Sequence, residues 1–259
     1  MSHDLFDLEG RVIVVTGGGT GIGEVYSEEL ARAGARVVIA DIAADAGERV
    51  AARIRAANRA AIAVATDVSD PLQTAHMAER AIALWDRIDG LVNNASLMST
   101  LERKSWTEIG VAEWDRVMAV NLRGMFLASR AVYPQMKKQG RGKIVNISSS
   151  RFWMGSPLRL HYSTSKAGVI GFTRSLAREV GDDNICVNAI TPGFTESPTQ
   201  MASSTPAYLA QAKQRYQGRA FKRGETPMDL VGAVLFLMSD ASNFVTGQTL
   251  NVDGGESMH

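Results

Sequence analysis

Cysteine is nearly absent from this chain of 259 residues, which has only Cys186. A single cysteine excludes an internal disulfide and fits a reducing compartment. It lies in the apolar run 185–190, which favours a buried strand residue over a redox group. The sequence also lacks any run approaching the ~20 apolar residues that a membrane span needs, and its N-terminal segment lacks the apolar core of a signal peptide. These absences predict a cytoplasmic protein that does not bind a membrane.

An excess of charge of one sign is lacking as well. With 28 Lys and Arg against 27 Asp and Glu, the formal net charge is +1, which does not favour nucleic acid or an anionic membrane as a general partner. The histidines, His3, His76, His161 and His259, are scattered along the chain and lack the spacing of metal ligands. The sequence therefore predicts no nucleic-acid partner and no metal site.

The chain does have enough apolar material for one large core. It is 45% hydrophobic, contains 24 glycines and has no linker-like stretch, which predicts a single domain over residues 1–259. Strand and helix patterns alternate, so we expect an α/β fold with a doubly wound, seven-stranded parallel sheet and helices on both faces. A long helix is expected over 114–138 and the next from about His161. The strands are expected near 11–16, 35–40, 60–66, 88–93, 142–148, 185–190 and 248–252.

A glycine-rich turn follows the first strand. Residues 17–23 read Gly-Gly-Gly-Thr-Gly-Ile-Gly and open a helical stretch that runs toward Arg32. Glycines allow a tight turn and a close approach of the backbone to phosphate, and a helix N-terminus offers free N–H groups to an anion. The second apolar strand ends in Asp41, where a dinucleotide fold places the acid that bonds the adenosine ribose; an acid that only caps the strand is the alternative. This order of features predicts a dinucleotide site.

The segment 162–166, Tyr-Ser-Thr-Ser-Lys, supplies candidate catalytic groups. On one helix Tyr162 and Lys166 share a face, so the ammonium is expected to stabilise the phenolate and to lower the tyrosine pKa from about 10. The spacing alone recurs by chance and usually marks a solvated helix face. Ser149 lies in the run 148–150, which could serve only to cap or turn the chain.

Taken together, these motifs resemble those of the short-chain dehydrogenase/reductase family over nearly the whole chain. The family's Thr-Gly-x-x-x-Gly-x-Gly matches 16–23, its Asn-Asn-Ala-Gly matches 93–96 with Ser96 in place of glycine, and its catalytic serine precedes the tyrosine by thirteen positions, as Ser149 does. Asn121, Pro192-Gly193 and the closing stretch 247–255 also fit. The resemblance implies a single-domain Rossmann fold and an oxidoreductase that moves hydride between a nicotinamide cofactor and a secondary alcohol or ketone.

The resemblance also implies a role for each catalytic residue. Tyr162 is the general acid/base that exchanges a proton with the substrate oxygen, and Ser149 donates a hydrogen bond to the developing oxyanion. Lys166 lowers the pKa of Tyr162 and bonds the nicotinamide ribose. Asn121 holds a water that links Lys166 to solvent.

The cofactor is expected to be NAD. The carboxylate of Asp41 would repel a 2′-phosphate, and Thr20 and Ile42 stand where NADP-binding relatives usually carry a basic residue. Asp67 matches the residue that contacts the adenine amine, and Thr195 and Ser197 match positions that contact the carboxamide and the phosphates. The expected cofactor-binding residues are Gly17, Thr20, Gly21, Ile22, Gly23, Asp41, Ile42, Asp67, Val68, Asn93, Ala95, Tyr162, Lys166, Pro192, Gly193, Thr195 and Ser197.

The substrate pocket is expected between residues 150–161 and a lid at about 196–225. Its aromatic side chains suggest a ring-bearing or hydrophobic substrate, as in short-chain relatives that act on aryl secondary alcohols and pyridoxal-type alcohols, unless those rings only pack the core. Alternatively, Arg151, Arg159, Arg219, Lys222 and Arg223 could face the phosphopantetheine arm of an acyl carrier protein, as in a 3-oxoacyl-thioester reductase. The expected pocket residues are Ser149, Arg151, Phe152, Trp153, Met154 and Tyr162.

Two further points concern a non-catalytic alternative and the oligomeric state. A non-catalytic NAD-binding scaffold is the competing reading, although such proteins often lose the tyrosine or the lysine. We also expect a homotetramer, because the helices from about Trp114 and His161 carry surplus apolar residues and in this family the equivalent helices pair across a two-fold axis. The apolar residues concerned are Met118, Met125, Phe126, Phe172 and Leu176, with the strand 249–252 at a second interface and the tail 256–259 near a neighbouring subunit.

Overall fold

The computed structural model describes residues 5–258 of the chain. Their strands are Val12–Thr16 (β1), Arg36–Asp41 (β2), Ala61–Ala65 (β3), Gly90–Asn93 (β4), Gly142–Ile147 (β5), Ile185–Pro192 (β6) and Thr249–Val252 (β7). All pair in parallel in one sheet of order β3-β2-β1-β4-β5-β6-β7. The predicted fold class is confirmed, and each strand lies within about two residues of its expected place.

Helices connect the strands and cover both faces of the sheet. Between β3 and β4 the chain returns to the middle of the sheet, so β1 and β4 lie side by side while their following loops diverge. In doubly wound sheets this switch point opens a crevice at the carboxyl ends of the strands. The helices are Gly21–Arg32 (α1), Ala44–Ala56 (α2), Pro71–Trp85 (α3), Val111–Met118 (α4), Gly124–Gln139 (α5), Arg151–Met154 (α6), Leu160–Glu179 (α7), Pro198–Ala202 (α8), Pro206–Tyr216 (α9) and Val231–Met238 (α10).

The core has two layers because alternate side chains of a strand point to opposite faces. Ile13 and Val15 of β1 pack into one cluster with residues of α1, α2 and α10, whereas Val12 and Val14 pack into the other with α3, α5 and α7. Burial on both faces explains why β1 reads as a continuous apolar run rather than an alternating one. Cys186 is buried in β6, as the sequence predicted.

The long helix expected over 114–138 is interrupted. A π-helical turn, Ala119–Arg123, separates α4 from α5, and Asn121 lies at its centre. A π turn inserts one extra residue and occurs often at functional sites, so the interruption changes where the following side chains project. Periodicity could not show it, because a single added residue leaves the apolar pattern on each side nearly intact.

Other regions carry structure that the sequence patterns did not specify. The segment expected as a lid, 196–225, contains α8 and α9, and residues 151–154 form the short helix α6. Among the described residues, no helix is both long enough and apolar enough to cross a membrane.

We expect Gly23→Ala to lower the free energy of unfolding by about 2 kcal/mol, a cost typical of overpacking. A β-carbon at Gly23 would lie 2.0 Å from the carbonyl oxygen of Gly17 and 2.5 Å from Nδ2 of Asn94, so the turn would have to move. Gly232→Ala in α10 is the matched control, since a β-carbon there meets nothing within 4 Å. Urea denaturation of both variants checks this: equal stability of Gly23→Ala and the parent would contradict the proposed contact.

Candidate active site

One cleft of about 440 Å³ lies at the carboxyl ends of the strands. Its lining is formed by the turn after β1, the loop after β4, the end of β5, the start of α7 and the loop after β6. Most residues that the sequence assigned to cofactor, catalysis or substrate meet there. They are Gly17, Thr20, Gly21, Ile22, Asp41, Ile42, Asp67, Val68, Ala95, Ser149, Arg151, Met154, Tyr162, Lys166, Pro192, Gly193, Thr195 and Ser197.

Five expected site residues lie beside the cleft rather than on its surface. The Asn93 side chain is buried and donates to Ser129 Oγ (3.1 Å) and Asn146 Oδ1 (2.9 Å), which is a core role. Phe152 and Trp153 stack on each other in α6, with ring centroids 4.5 Å apart. The remaining two, Gly23 and Asn121, support the lining from behind.

The glycine turn is built for close backbone approach. Gly17 has φ +61°, and a β-carbon there would come within 2.9 Å of Ala95 Cα in the neighbouring loop. Asn94 fixes this approach, since its Nδ2 donates to the carbonyl oxygens of Thr16 (3.1 Å) and Gly17 (3.0 Å). The backbone of the turn therefore packs directly against the neighbouring loop, with no side chain between them, and forms the floor of the cleft.

The N-terminus of α1 faces this floor, and its first backbone N–H groups point toward the cleft. Thr20 is its N-cap but makes no side-chain capping bond, so the first N–H groups of α1 have no side-chain partner. Gly21, with φ +60°, also lines the cleft. Free N–H groups at a helix N-terminus bind phosphate, so this end of the cleft fits the pyrophosphate of a dinucleotide.

Asp41 closes the adenosine end of the cleft. Its side chain is buried and accepts from the backbone N–H of Gly19 (2.9 Å) and of Ala43 (2.9 Å), one bond on each carboxylate oxygen. A carboxylate has about four lone-pair positions, so both oxygens can still accept from ribose hydroxyls. Ile42 beside it is 72% exposed and carries no charge. Asp67 bonds Ser69 and lies farther along the same wall.

Tyr162 lies at the opposite end, on the first turn of α7. Its phenol lies next to the side chain of Ser149, two residues beyond the end of β5. Burial raises the Tyr162 pKa above its usual 10, while the positive charge of Arg151, the Ser149 hydroxyl and the positive charge of Arg159 oppose that rise. The expected net lowering of this pKa is therefore not found, because burial outweighs the neighbouring charges.

Lys166 lies one helical turn beyond Tyr162, with its Nζ 5.7 Å from the Tyr162 ring centroid. The ammonium is buried and donates to the Ile147 carbonyl oxygen (2.8 Å), and burial lowers the Lys166 pKa to about 7. Ser148 Oγ donates to the Lys166 carbonyl oxygen (2.6 Å) and so ties α7 to the end of β5. The lysine is thus held between the strand end and the cleft.

Asn121 is held rigidly in the π turn. Its Oδ1 accepts from Leu97 N–H (2.8 Å), and its Nδ2 donates to Leu97 O (3.3 Å) and to Ser165 Oγ (3.0 Å). The amide therefore joins the loop after β4 to α7, beside the Tyr162–Lys166 pair. These bonds occupy the side chain. The backbone of Asn121 is therefore the group left to bind the expected water.

A buried glutamate that the motifs did not indicate supports the loop after β6. Glu225 Oε1 accepts from Thr195 Oγ1 (2.6 Å) and Oε2 from Gly193 N–H (3.1 Å). Burial raises the Glu225 pKa to about 7. Thr195 is thus engaged through its hydroxyl, and Ser197 caps α8 by accepting from Gln200 N–H (3.2 Å).

Other lining residues were not named as site residues from the sequence. Asn94 and Ser96 belong to the matched stretch 93–96, and Ser150, Thr199 and Gln200 belong to the expected pocket segments, whereas the fold alone brings the others to the cleft. The full set of these lining residues is Thr66, Ser69, Asn94, Ser96, Leu97, Met98, Ser99, Arg116, Ala119, Val120, Ile147, Ser148, Ser150, Phe194, Thr199, Gln200 and Glu256.

The basic residues once considered for a carrier-protein arm separate into two groups. Arg219 pairs with Glu256 (2.8 Å), Arg223 pairs with Asp229 (2.5 Å), and Lys222 donates to backbone carbonyls. Arg151 and Arg159, by contrast, lie near Tyr162.

The histidines do not come together in the fold. His76 and His161 are in separate helices, and His3 and His259 lie outside the described residues. The described residues contain no group of three potential metal ligands.

Comparison with known proteins places this geometry in a family. A family model described as enoyl-(acyl carrier protein) reductase matches residues 17–257. A 3-oxoacyl-[acyl-carrier-protein] reductase of Thermotoga maritima is 36% identical over 96% of this chain and 98% of its own. The solved structure of a 7α-hydroxysteroid dehydrogenase with NADH and 7-oxo glycochenodeoxycholic acid is 32% identical, with a TM-score of 0.91 over 98% of this chain and 97% of that one.

A candidate NAD(P)-dependent gluconate 5-dehydrogenase from Beutenbergia cavernae, solved with NADP at low occupancy, is similar as well. It is 36% identical, with a TM-score of 0.88 over 97% of this chain and 98% of that one. The two solved structures differ in substrate and in cofactor, NADP in one and NADH in the other, but share the fold of this chain. The chain belongs to the short-chain dehydrogenase/reductase family and is an oxidoreductase.

Proposed function

We propose that the protein is an NAD-dependent oxidoreductase that interconverts a secondary alcohol and a ketone. The observation that carries this proposal is that Ser149, Tyr162 and Lys166 meet in one cleft, which Asp41 and the N-terminus of α1 also line. One wall thus offers proton-transfer groups while the rest fits a dinucleotide. The bound nicotinamide would accept or supply the hydride.

The chain's own residues handle the proton and the oxygen. In the reduction, Tyr162 donates its phenolic proton to the carbonyl oxygen as charge develops there, and Ser149 donates a hydrogen bond to the same oxygen. In the oxidation the phenolate takes the proton back. The Lys166 ammonium lies close enough to stabilise that phenolate, and the site's burial strengthens the interaction.

NAD is the cofactor that the adenosine end favours. A 2′-phosphate would be placed against the Asp41 carboxylate, which accepts from the backbone N–H groups of Gly19 and Ala43 and pairs with no cation in the described part of the chain. The neighbouring Ile42 and Thr20 supply no positive charge. Because relatives bind either NADH or NADP, the local charge at this position is the relevant support.

For the substrate we propose a molecule with a hydrophobic or ring-bearing portion. The apolar residues that line the cleft include Leu97, Met98, Met154 and Phe194, and Met98 packs against the cluster that contains Tyr162. Thioether and aromatic groups adapt well to flat apolar surfaces. Support for a ring now comes from these residues and not from Phe152 and Trp153, which pack on each other.

A 3-oxoacyl-thioester reductase is the second candidate. It is favoured by the similarity to the acyl carrier protein reductase of Thermotoga maritima. It is disfavoured by the ion pairs that occupy Arg219 and Arg223, which line a separate, smaller pocket. Assaying 3-oxoacyl thioesters beside ring-bearing ketones with NADH, through nicotinamide absorbance, separates the two candidates, and no absorbance change with any substrate would favour the non-catalytic scaffold.

We further propose a cytoplasmic homotetramer. Phe126 of α5 is 46% exposed and Leu250 of β7 is 39% exposed, while Phe172 and Leu176 of α7 are half-buried, so apolar surface remains on both expected interfaces. Met118 is half-buried and Met125 is buried in the monomer. In the tail, Glu256 bonds Arg219 of the same chain and Met258 is exposed; His259 lies outside the described residues.

We expect Tyr162→Phe to reduce kcat by at least ~100-fold, the usual contribution of a positioned general acid. NADH affinity should change less than about threefold, because the phenol makes its contribution in proton transfer. Tyr26→Phe is the matched control, since it removes a buried hydroxyl that has no hydrogen-bond partner. Steady-state kinetics with NADH titration checks this, and activity of Tyr162→Phe within tenfold of the parent would remove the residue from the acid/base role.

We expect the double variant Asp41→Ala, Ile42→Arg to shift preference toward NADP by at least ~10-fold in the ratio of kcat/KM values. The change removes a repulsive carboxylate and supplies a phosphate partner. Comparing both cofactors with one substrate in parent and variant measures the shift. An unchanged ratio would mean that other residues determine cofactor choice.

We expect a mass of about 112 kDa in solution, four chains of 27.9 kDa. Two different isologous interfaces on one chain generate D2 symmetry, which is the reason for four copies rather than two. Size-exclusion chromatography with light scattering at micromolar concentration measures it. A stable species of one or two chains would contradict the tetramer.

A further inference from the structure

Three arginines converge beside the proposed catalytic tyrosine. Arg151 is 8% exposed and donates from Nη2 to the Tyr208 hydroxyl (3.2 Å), and Arg103 lies over the Tyr208 ring at 4.6 Å. Arg159 is 7% exposed, and its charge and that of Arg151 both act on Tyr162. Arg151 and Arg159 lie at the two ends of one short segment, and the fold brings Arg103 to them from a loop almost fifty residues earlier.

None of these three arginines forms an ion pair among the residues that the structure describes. Arg159 donates to the Leu101 carbonyl oxygen (2.8 Å) and contacts Met98 Sδ (3.2 Å), and its Nε is buried without a partner. Two acids of the adjoining segment are occupied elsewhere: Glu113 is bonded to Lys104 (2.8 Å) and to His161 (3.1 Å), and Glu102 is exposed beside Lys104 (3.8 Å). The arginine cluster therefore carries positive charge that no carboxylate of the described chain neutralises.

Burying these arginine charges without a carboxylate costs free energy, which a bound anion would offset. A buried guanidinium loses its hydration, and an ion pair with a carboxylate normally offsets that free-energy cost, as Glu256 does for Arg219. Here burial and the charge of Arg151 lower the pKa of Arg159, which reports the same unfavourable situation. Arg151 lines the cleft together with Ser149 and Tyr162, so its charge faces the place where a substrate must lie.

We propose that the substrate carries an anionic oxygen group, a carboxylate, sulfonate or phosphate, close to the reacting carbon, and that Arg151 binds it. Arg159 and Arg103 add positive charge behind and beside that contact, and a guanidinium matches such planar or trigonal oxygen groups with paired hydrogen bonds. The inference rests on the proposed alcohol–ketone reaction and names its substrate class. The apolar lining then contacts the rest of the molecule, and the anion determines which end of it reaches Tyr162.

Matched substrates test the proposal. Mandelate is compared with mandelamide, and 3-hydroxybutyrate with its methyl ester, each with NAD⁺ and the intact protein; sulfonate and phosphate analogues of 3-hydroxybutyrate form two further arms. We expect kcat/KM for the preferred anion to exceed that for its neutral partner by at least ~30-fold, the effect of a charged hydrogen-bond pair. The arm with the highest value identifies the anionic group, and equal values for anions and neutral partners would overturn the proposal.

Variants of Arg151 assign the preference to this residue. Arg151→Gln should reduce the anion-to-neutral ratio to within about threefold of unity, and Arg151→Lys should retain part of it because the charge remains. Arg141→Gln is the matched control, because Arg141 is partly exposed and pairs with Asp240 away from the cleft. A ratio that survives Arg151→Gln would overturn the assignment. Should that variant not fold, Arg159→Gln carries the same comparison.

A binding measurement separates this inference from the proposed reaction. Calorimetric titration of the NADH complex with mandelate and mandelamide, in the parent and in Tyr162→Phe, needs no turnover. Selective binding of the anion without turnover of any substrate would sink the reaction and support the anion site. Turnover of neutral alcohols with no selective binding of the anion would sink the anion site and leave the reaction standing.

Discussion

The junction between the ends of β1 and β4 is the constraint on which the rest of the cleft depends. The Thr16 hydroxyl donates to the Val92 carbonyl oxygen (3.3 Å) and accepts from the N–H groups of Asn94 (3.0 Å) and Ala95 (3.2 Å). These bonds hold two diverging loops at the distance that the absent side chains of Gly17 and Gly23 allow. A cleft thin enough to take a dinucleotide between backbone segments follows from this one contact set.

Electrostatics divide the cleft into two ends with opposite character. At the adenosine end Asp41 is a carboxylate held by backbone donors, so it repels further negative charge. At the reaction end Lys166, Arg151 and Arg159 surround a buried phenol. A low-dielectric site strengthens each of these effects, which is why the same charges would have little influence on an exposed surface. This difference in charge between the two ends favours the orientation proposed for NAD, with its adenosine ribose at Asp41 and its nicotinamide at Tyr162.

The motifs were sufficient for the groups that act through the backbone or through fixed spacing along one element. Gly17 and Gly21 lie where the turn predicts, and Tyr162 and Lys166 share one helix face because four residues make about one turn. Ser149 also met Tyr162 as the spacing suggested, since β5 and α7 are adjacent in the fold. The net direction of the Tyr162 pKa did not follow from the sequence, because sequence gives charge but not burial, and burial dominates.

Residue order by itself indicated the alternation of strands and helices and the glycine turn, because these depend on local composition and on the pattern of apolar residues. The identity of the proton-transfer groups came from the resemblance of the motifs to those of a known family. Only the tertiary structure decided what surrounds them. The support of Thr195 by Glu225 and the meeting of Arg103 with Arg151 and Arg159 join segments that are distant along the chain, and no local pattern encodes such contacts. Such contacts arise from packing of the whole core, in which the position of each loop depends on the elements that flank it.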